Sequence, residues 1–321
     1  MSMETLILTQ KEVKTLLTME DALKAVEHAF EMHGFNAVQM PAKIYLEFEK
    51  GDLRAMPAYL DGKAGVKWVN SHPENSKVGL PTVMALLIYN DPETGFPLAV
   101  MDATHITNMR TGAAGGIASK YLAKPNSKVL GFVGCGTQAY TQLVAHKELF
   151  DIKKVKCFDI SKEKSSRFVE FCEEEGIHAE FMEIEEVCNC DILITTTPSR
   201  KPIVKKEWIV EGTHINAIGA DAPGKQELDS EIIKDARVFV DDRVQAFHSG
   251  EVNVPLSKGI IKPEDIVGTL GEVITGRIKG RQGDEITVFD STGLAIQDIA
   301  TASIVFQRAT EKKIGTKISF F

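Results

Sequence analysis

Lys128-Val129-Leu130-Gly131-Phe132-Val133-Gly134-Cys135-Gly136-Thr137-Gln138-Ala139 decides the fold of this 321-residue chain. The apolar run to Val133 predicts a strand and the residues from Thr137 a helix, so a GxGxxA turn stands between them. Each position has a physical task at a dinucleotide: Gly134 permits the tight turn, Gly136 lets the backbone approach a pyrophosphate, and Ala139 stands where helix meets strand. The helix N-terminus, at Thr137 and Gln138, adds unpaired N–H groups and a partial positive charge. Asp159 ends the next apolar run about 20 residues on, where a carboxylate accepts hydrogen bonds from the adenosine ribose and repels a 2'-phosphate. NAD is therefore the expected cofactor.

Outward from this turn, strand-like and helical runs alternate. Lys128 to Val133, Val155 to Phe158, Asp191 to Thr195, His214 to Ile218, Val238 to Val240 and Ile286 to Phe289 read as strands. This alternation predicts an α/β fold with a Rossmann-type doubly wound parallel sheet. Ligands of such sheets meet the carboxyl ends of the strands, which singles out Pro198 and Ser199, Ile218-Gly219-Ala220-Asp221, and Ser291 and Thr292. Helix caps and glycine turns account for the same residues equally well.

Upstream the pattern differs. Ala22, Val26, Ala29, Phe30 and His33 mark one face of a helix, with Glu20 and Asp21 at its positive end. From Lys43 to Asp102, short alternating runs broken by turn residues predict an antiparallel sheet of about five strands. A helix rich in small residues, Arg110 to Ala118, carries Gly112, Gly115 and Gly116; glycine costs a helix up to about 1 kcal/mol, so something should approach this backbone closely. Pro125-Asn126-Ser127 reads as a boundary. A last helix, Leu294 to Ala309, could run back onto the first part. The expected organisation is a domain of residues 1–123 and 294–321, α+β in type, and a Rossmann domain of residues 124–293.

Hydrophobic residues make up 43% and charged residues 26%, a globular mixture without a disordered tract. A net charge of -8 argues against nucleic acid and anionic lipid as partners. No apolar run reaches the roughly 20 residues of a membrane span, and Met1 to Gln10 lacks a signal-peptide pattern, so a cytoplasmic location is expected. Five cysteines without a CxxC pair read as reduced core fillers. The histidines lack metal-binding spacing, so no metal is expected; His72, His105, His214 and His248 read as surface or hydrogen-bonded core residues.

Two charged residues invite a chemical reading. Lys67, in Gly65-Val66-Lys67-Trp68-Val69, sits on a strand whose faces both look partly buried. A lysine there loses basicity unless an anion accompanies it and becomes suited to proton transfer; a solvated sheet lysine is the alternative. Asp221 lies in a loop of small residues with little to solvate it except a ligand or Lys225. Lys43 and Arg54 are further cations on neighbouring strands.

With the helix Arg110 to Gly116, the turn Gly134 to Ala139 and the loop Gly219 to Leu228 on view, the chain resembles the ornithine cyclodeaminase and mu-crystallin family. Met40-Pro41, Leu80-Pro81-Thr82-Val83-Met84, Pro97-Leu98-Ala99 and Asp290-Ser291-Thr292-Gly293 extend the resemblance over essentially the whole chain. It implies a homodimer built through the first, substrate-binding domain and an active site between the two domains. It further implies Lys67 and Asp221 as catalytic residues, Lys43 and Arg54 as cations for a substrate carboxylate, and Thr292 beside the substrate. Thr82, Arg110, Thr137, Gln138, Asp159, Lys225 and Ser291 match cofactor contacts. The expected activity is NAD-dependent alanine dehydrogenase, the reversible oxidative deamination of L-alanine to pyruvate and ammonia. Ornithine cyclodeamination, ketimine reduction and a binding role without turnover are the alternatives.

Overall fold

The computed structural model describes residues 4–321, so Met1, Ser2 and Met3 of the Met1 to Gln10 stretch lie outside the described residues. Contacts divide the chain into two units, Met1–Arg110 with Leu294–Phe321, and Thr111–Gly293.

In the first unit, strand β1 (Thr5–Leu8) leads to α1 (Gln10–Leu16) and α2 (Met19–Gly34). Thr9 and Thr18 cap these helices, each in a reciprocal box with Glu12 or Asp21 that satisfies N–H groups the helix leaves unpaired. The sheet then adds β2 (Val38–Gln39), β3 (Ile44–Phe48), β4 (Gly51–Leu60), β5 (Lys63–Ser71), β6 (Val83–Asn90) and β7 (Pro97–Asp102). Strands β3 to β7 are the antiparallel set expected between Lys43 and Asp102. Beyond that expectation, β1 pairs in parallel with β7, and a C-terminal strand Thr316–Ile318 closes on β1. Helix α3 (Thr104–Leu122) carries the division between the units, after Arg110.

In the second unit, β8 (Val129–Val133), β9 (Lys154–Phe158), β10 (His178–Phe181), β11 (Ile192–Thr195), β12 (His214–Ala217), β13 (Arg237–Val240), β14 (Ile266–Thr269) and β15 (Thr287–Asp290) form one sheet in the order β10-β9-β8-β11-β12-β15-β13-β14. Every pairing in it is parallel. The helices between are α4 (Thr137–Leu149), α5 (Lys162–Glu174), α6 (Ile184–Cys188), α7 (Ser230–Asp235), α8 (Arg243–Ser249), α9 (Asn253–Ser257) and α10 (Leu270–Ile274). Side chains alternate along each strand, so Leu130, Phe132, Ile192 and Ile194 enter one core, and Val133, Leu193, Ile215 and Val288 the other. Both faces of the sheet are thus covered, as a doubly wound fold requires. The six strands expected from sequence all form; β10 and β14 are additional.

The glycines of α3 have a structural explanation. A Cβ at Gly112 would stand 2.4 Å from Thr141 O, and one at Gly115 2.1 Å from Gln142 Oε1. Helix α4 occupies the space those side chains would need. Gln142 is fully buried there and donates to Thr111 O at 2.9 Å. At Gly112 and Gly115 the close neighbour is α4.

The chain returns to the first unit as α11 (Ala295–Lys312), which packs against α2 and against β4, β5 and β6.

Candidate functional site

Second unit: the carboxyl edge of the parallel sheet

The parallel sheet delivers the loop after every strand to its carboxyl edge, and the structure places the residues singled out from sequence in the loops after β8, β9, β11, β12 and β15. After β8, Gly134 adopts φ +97, where a Cβ would meet Thr197 Cγ2 at 2.9 Å, and its N–H donates to Phe158 O at 2.8 Å. Only glycine fits that conformation without strain. Gly136 then caps α4 with no side chain of its own, and nothing lies within 4 Å of the place its Cβ would occupy. Open space, a 13-residue helix and its unpaired N–H groups suit an anion. Thr137 is exposed and Gln138 half-buried at that end.

Asp159 follows β9. Its carboxylate accepts from Cys135 N at 2.9 Å and from Ser161 N at 2.8 Å, so the acid is tied to the glycine turn itself. Nearby, Arg167 is paired with Glu163 at 2.6 Å.

The remaining loops are held from beneath by carboxylates that sequence reading missed. Glu227, fully buried, accepts from Thr195 Oγ1, Thr197 N, Thr197 Oγ1 and Gly219 N at 2.6–2.9 Å. It pins the loop after β11, with exposed Pro198 and half-buried Ser199, to the loop after β12, with Ile218, Gly219 and Ala220. Glu251 in turn accepts from the N–H groups of Glu227 and Leu228 at 2.7–3.0 Å. Burial raises both carboxyl groups above their ordinary range, and the charge of Glu227 adds to the effect on Glu251. Asp241, after β13, accepts from Thr292 N at 2.6 Å and Gly293 N at 2.7 Å, while Ser291 N donates to Ala217 O at 3.0 Å. Asp241 carried a readable signal, because it ends a run recognised as a strand; Glu227 and Glu251 carried none.

Asp221 and Lys225 lie one helical turn apart in the loop after β12 and form an ion pair at 2.5 Å, with the lysine the better buried of the two. The two sequence candidates are therefore partners. His214 is fully buried and hydrogen-bonded to Thr287 Oγ1 and Asn216 Oδ1, and burial pushes it down to about 3. It is a neutral core residue, and all five cysteines are free and buried. Among the described residues no group of three His, Cys, Asp or Glu side chains could hold a metal ion.

First unit: a buried lysine between two helices

Lys67 is central on β5, opposite Met56 of β4 and Leu87 of β6, and 0% of it is exposed. Its Nζ lies 2.6 Å from Asp298 Oδ2 of α11 and 3.3 Å from Thr107 Oγ1 of α3. Arg110, also on α3, donates from Nε to Asp298 Oδ1 at 3.0 Å and from Nη1 to Gln297 Oε1 at 3.3 Å. Two cations thus share one buried carboxylate. Burial first, then the Arg110 charge, brings Lys67 down from 10.5 to about 7; Asp298 opposes them, and Lys43 adds a smaller repulsion.

The two faces of β5 differ: Val69 is buried beside Lys67, whereas on the other face Val66 is half-buried and Trp68 is 44% exposed. The Trp68 face continues through Ile44, Leu46, Phe48, Met84, Leu86 and Ile88, all exposed. Among the described residues no layer packs over them.

Arg54, two residues from Met56 on the Lys67 face of β4, is 7% exposed and bound in a fork to Asp52, Nε to Oδ1 at 2.8 Å and Nη2 to Oδ2 at 2.9 Å. Its guanidinium also stacks over Tyr45, 5.4 Å from the ring centre. Lys43 is half-buried. Thr82, expected at the cofactor, is exposed ahead of β6, and its carbonyl accepts from His72 N at 2.8 Å. Asp298 was overlooked, although its signal was present: it falls four residues after Leu294 and seven before Val305, on the apolar face of the last helix.

A glycine turn at the carboxyl edge of a parallel, doubly wound sheet defines a Rossmann-type α/β protein. The chain belongs to the ornithine cyclodeaminase/mu-crystallin family, whose model matches residues 3–313. It is 62% identical, over 99% of both chains, to a protein of Archaeoglobus fulgidus named alanine dehydrogenase. Among solved structures it is similar to an archaeal alanine dehydrogenase dimer with bound NAD, with a TM-score of 0.98 and 62% identity over 99% of this chain and 100% of that one. It is also similar to the Δ1-pyrroline-2-carboxylate reductase of Thermococcus litoralis in complex with NADH and L-proline, with a TM-score of 0.95 and 39% identity over 98% and 100%.

Proposed function

We infer that the protein is an NAD-dependent amino-acid dehydrogenase acting on L-alanine, which it converts reversibly to pyruvate and ammonia. The observation that carries this is Lys67: a fully buried amine brought down to about 7 is poised to take or give a proton at neutral pH. Further support comes from the full-length similarity to an enzyme named for that reaction.

When bound, NAD supplies the acceptor for the α-hydride. The open space over Gly136, the α4 N-terminus and Asp159 would hold it, with Ile218, Gly219, Ala220, Pro198, Ser199 and Ser291 supplying loop backbone along the same edge. Thr137, Gln138, Thr82, Arg110 and Lys225 complete the proposed contacts. Lys43 and Arg54 hold the substrate carboxylate in charge-assisted hydrogen bonds, with Thr292 beside the substrate. Lys67 exchanges a proton with the amine and then with the carbinolamine formed as water adds to the imine. Asp221 orients or activates that water, and so must leave its pairing with Lys225 for part of the cycle. The first unit is thus the substrate-binding and dimerisation domain, and the second the NAD-binding domain.

A homodimer belongs to the same proposal. The exposed apolar face around Trp68 and Leu86 is the surface a second copy would cover, and the similar archaeal structure is described as a dimer. Five free thiols favour a reducing, cytoplasmic location, and none of the described helices is long and apolar enough to cross a membrane.

Imine reduction is the second reading, favoured by the similarity to the reductase complexed with NADH and L-proline. One experiment separates the possibilities: NADH formation from NAD with L-alanine, beside L-ornithine with proline detection and Δ1-pyrroline-2-carboxylate with NADH. Alanine-dependent NADH supports the dehydrogenase. Proline from ornithine without net NADH, or cyclic-imine reduction with no activity on alanine, overturns it.

A further inference from the structure

Nothing in the proposed reaction so far uses Asp298, yet it is the best-shielded carboxylate of the first unit, with 0% of its surface exposed. A lone carboxylate in such a place is costly, and a buried carboxylate shared by two cations still leaves an excess of positive charge. The charged groups around this cluster are Lys67 from β5, Arg110 from α3, Asp298 from α11 and Lys43 ahead of β3, with the Arg54–Asp52 fork further along the same face of β4. Asp298 is the anion in direct contact with both Lys67 and Arg110. Its two oxygens are divided, Oδ2 to Lys67 at 2.6 Å and Oδ1 to Arg110 at 3.0 Å.

We propose that Asp298 is the positioning residue of this site: it fixes Lys67 Nζ and the Arg110 guanidinium with one oxygen each and keeps Lys67 able to hold a proton. This rests on the reading of Lys67 as the proton-transfer group. Two influences from burial and like charge push Lys67 toward the neutral amine, and Asp298 is the opposing one. Without it, the amine stays neutral throughout the working range, so it accepts protons poorly and has none to return in the reverse direction.

Asp298→Asn isolates the charge. The asparagine carbonyl can still accept from Arg110 Nε, while the negative partner of Lys67 is gone. Oxidation requires Lys67 as a base, so kcat/KM rises with pH through its titration. In Asp298→Asn that rising limb should move to lower pH by about one to three units, the usual influence of an opposite charge at contact distance. Reductive amination should weaken most above pH 7. Asp298→Glu restores the charge and should return the limb to within about half a unit of the parent. A second readout does not involve turnover: NMR titration of 13Cε-labelled lysine, with the Lys67 signal assigned by its loss in Lys67→Met.

A uniform fall in activity at every pH, with both limb and Lys67 titration unmoved, would make Asp298 merely structural and overturn the proposal. If Asp298→Asn does not fold, Asp298→Glu decides: a limb and a titration retained near the parent's support the charge role, and a limb displaced as far as charge removal predicts refutes it. A parent enzyme that makes no NADH from alanine counts against the dehydrogenase reading alone, because the NMR titration still decides whether Asp298 sets the charge of Lys67.

Discussion

Replacing Lys67 by methionine removes an ammonium from the interior while leaving an apolar chain of similar length, and the consequences for folding and turnover should be opposite in sign. The lysine titrates at about 7 in the folded chain against an ordinary 10.5. Between those limits the folded state holds the neutral amine and the unfolded state the ammonium, so unfolding takes up a proton. Parental stability therefore rises with pH across this window, by about 1.4 kcal/mol per pH unit. From about pH 7.5 to 9.5 the gain amounts to about 3 kcal/mol. The methionine variant lacks this linkage. Near pH 7 it should be the more stable protein, by no more than about 5 kcal/mol and less after the interior relaxes, since Asp298 keeps Arg110 as its partner. Its advantage should shrink by about 3 kcal/mol on going to pH 9.5. Alanine-dependent turnover should fall by about 10² or more. Urea unfolding followed by circular dichroism at four pH values, with NADH formation measured alongside, tests both halves. A stability difference that stays constant with pH would refute the depressed basicity of Lys67, and normal turnover would remove it from proton transfer.

Gly136→Val should fold and cost about 1 kcal/mol of stability, because valine is a poorer helix N-cap than glycine although φ is -80 there and the added side chain enters open space. The same side chain should weaken NAD binding at least about tenfold, or 1.4 kcal/mol, by calorimetry; unaltered affinity would move the pyrophosphate elsewhere. Asp159→Ala removes both the charge and the ties to Cys135 and Ser161, and should reduce the ratio of kcat/KM for NAD over NADP by about tenfold or more. An unchanged ratio would show that another residue selects the cofactor. Leu86→Glu places a charge in the exposed apolar face of the first sheet and should shift sedimentation from dimer to monomer, whereas a parent that sediments as a monomer would refute the dimer outright.

Much of the second unit is legible in sequence because its signals are local. A strand, a glycine turn, a helix and an acid lie within the residues from Val129 to Asp159, and the backbone conformation of Gly134 follows from its neighbours. The carboxyl-edge loops are legible for the same reason: each directly follows an apolar run. Two strands escaped, β10 with a half-exposed pattern and β14 with a glycine in its middle, since neither shows a clean run.

Sequence by itself therefore determined the fold class, the glycine turn and the list of chemically interesting side chains, including Lys67 and Asp221. Only the tertiary structure decided their partners. Lys67, Thr107, Arg110 and Asp298 span more than two hundred residues of chain, and the contacts that set the basicity of Lys67 arise only when α3 and α11 close over β5. Likewise, Glu227 and Glu251 look like ordinary loop acids until folding buries them beneath the backbone they organise. The physical reason is range. Backbone conformation answers to neighbours in sequence, whereas burial and charge answer to neighbours in space, and those are known only once the chain has folded.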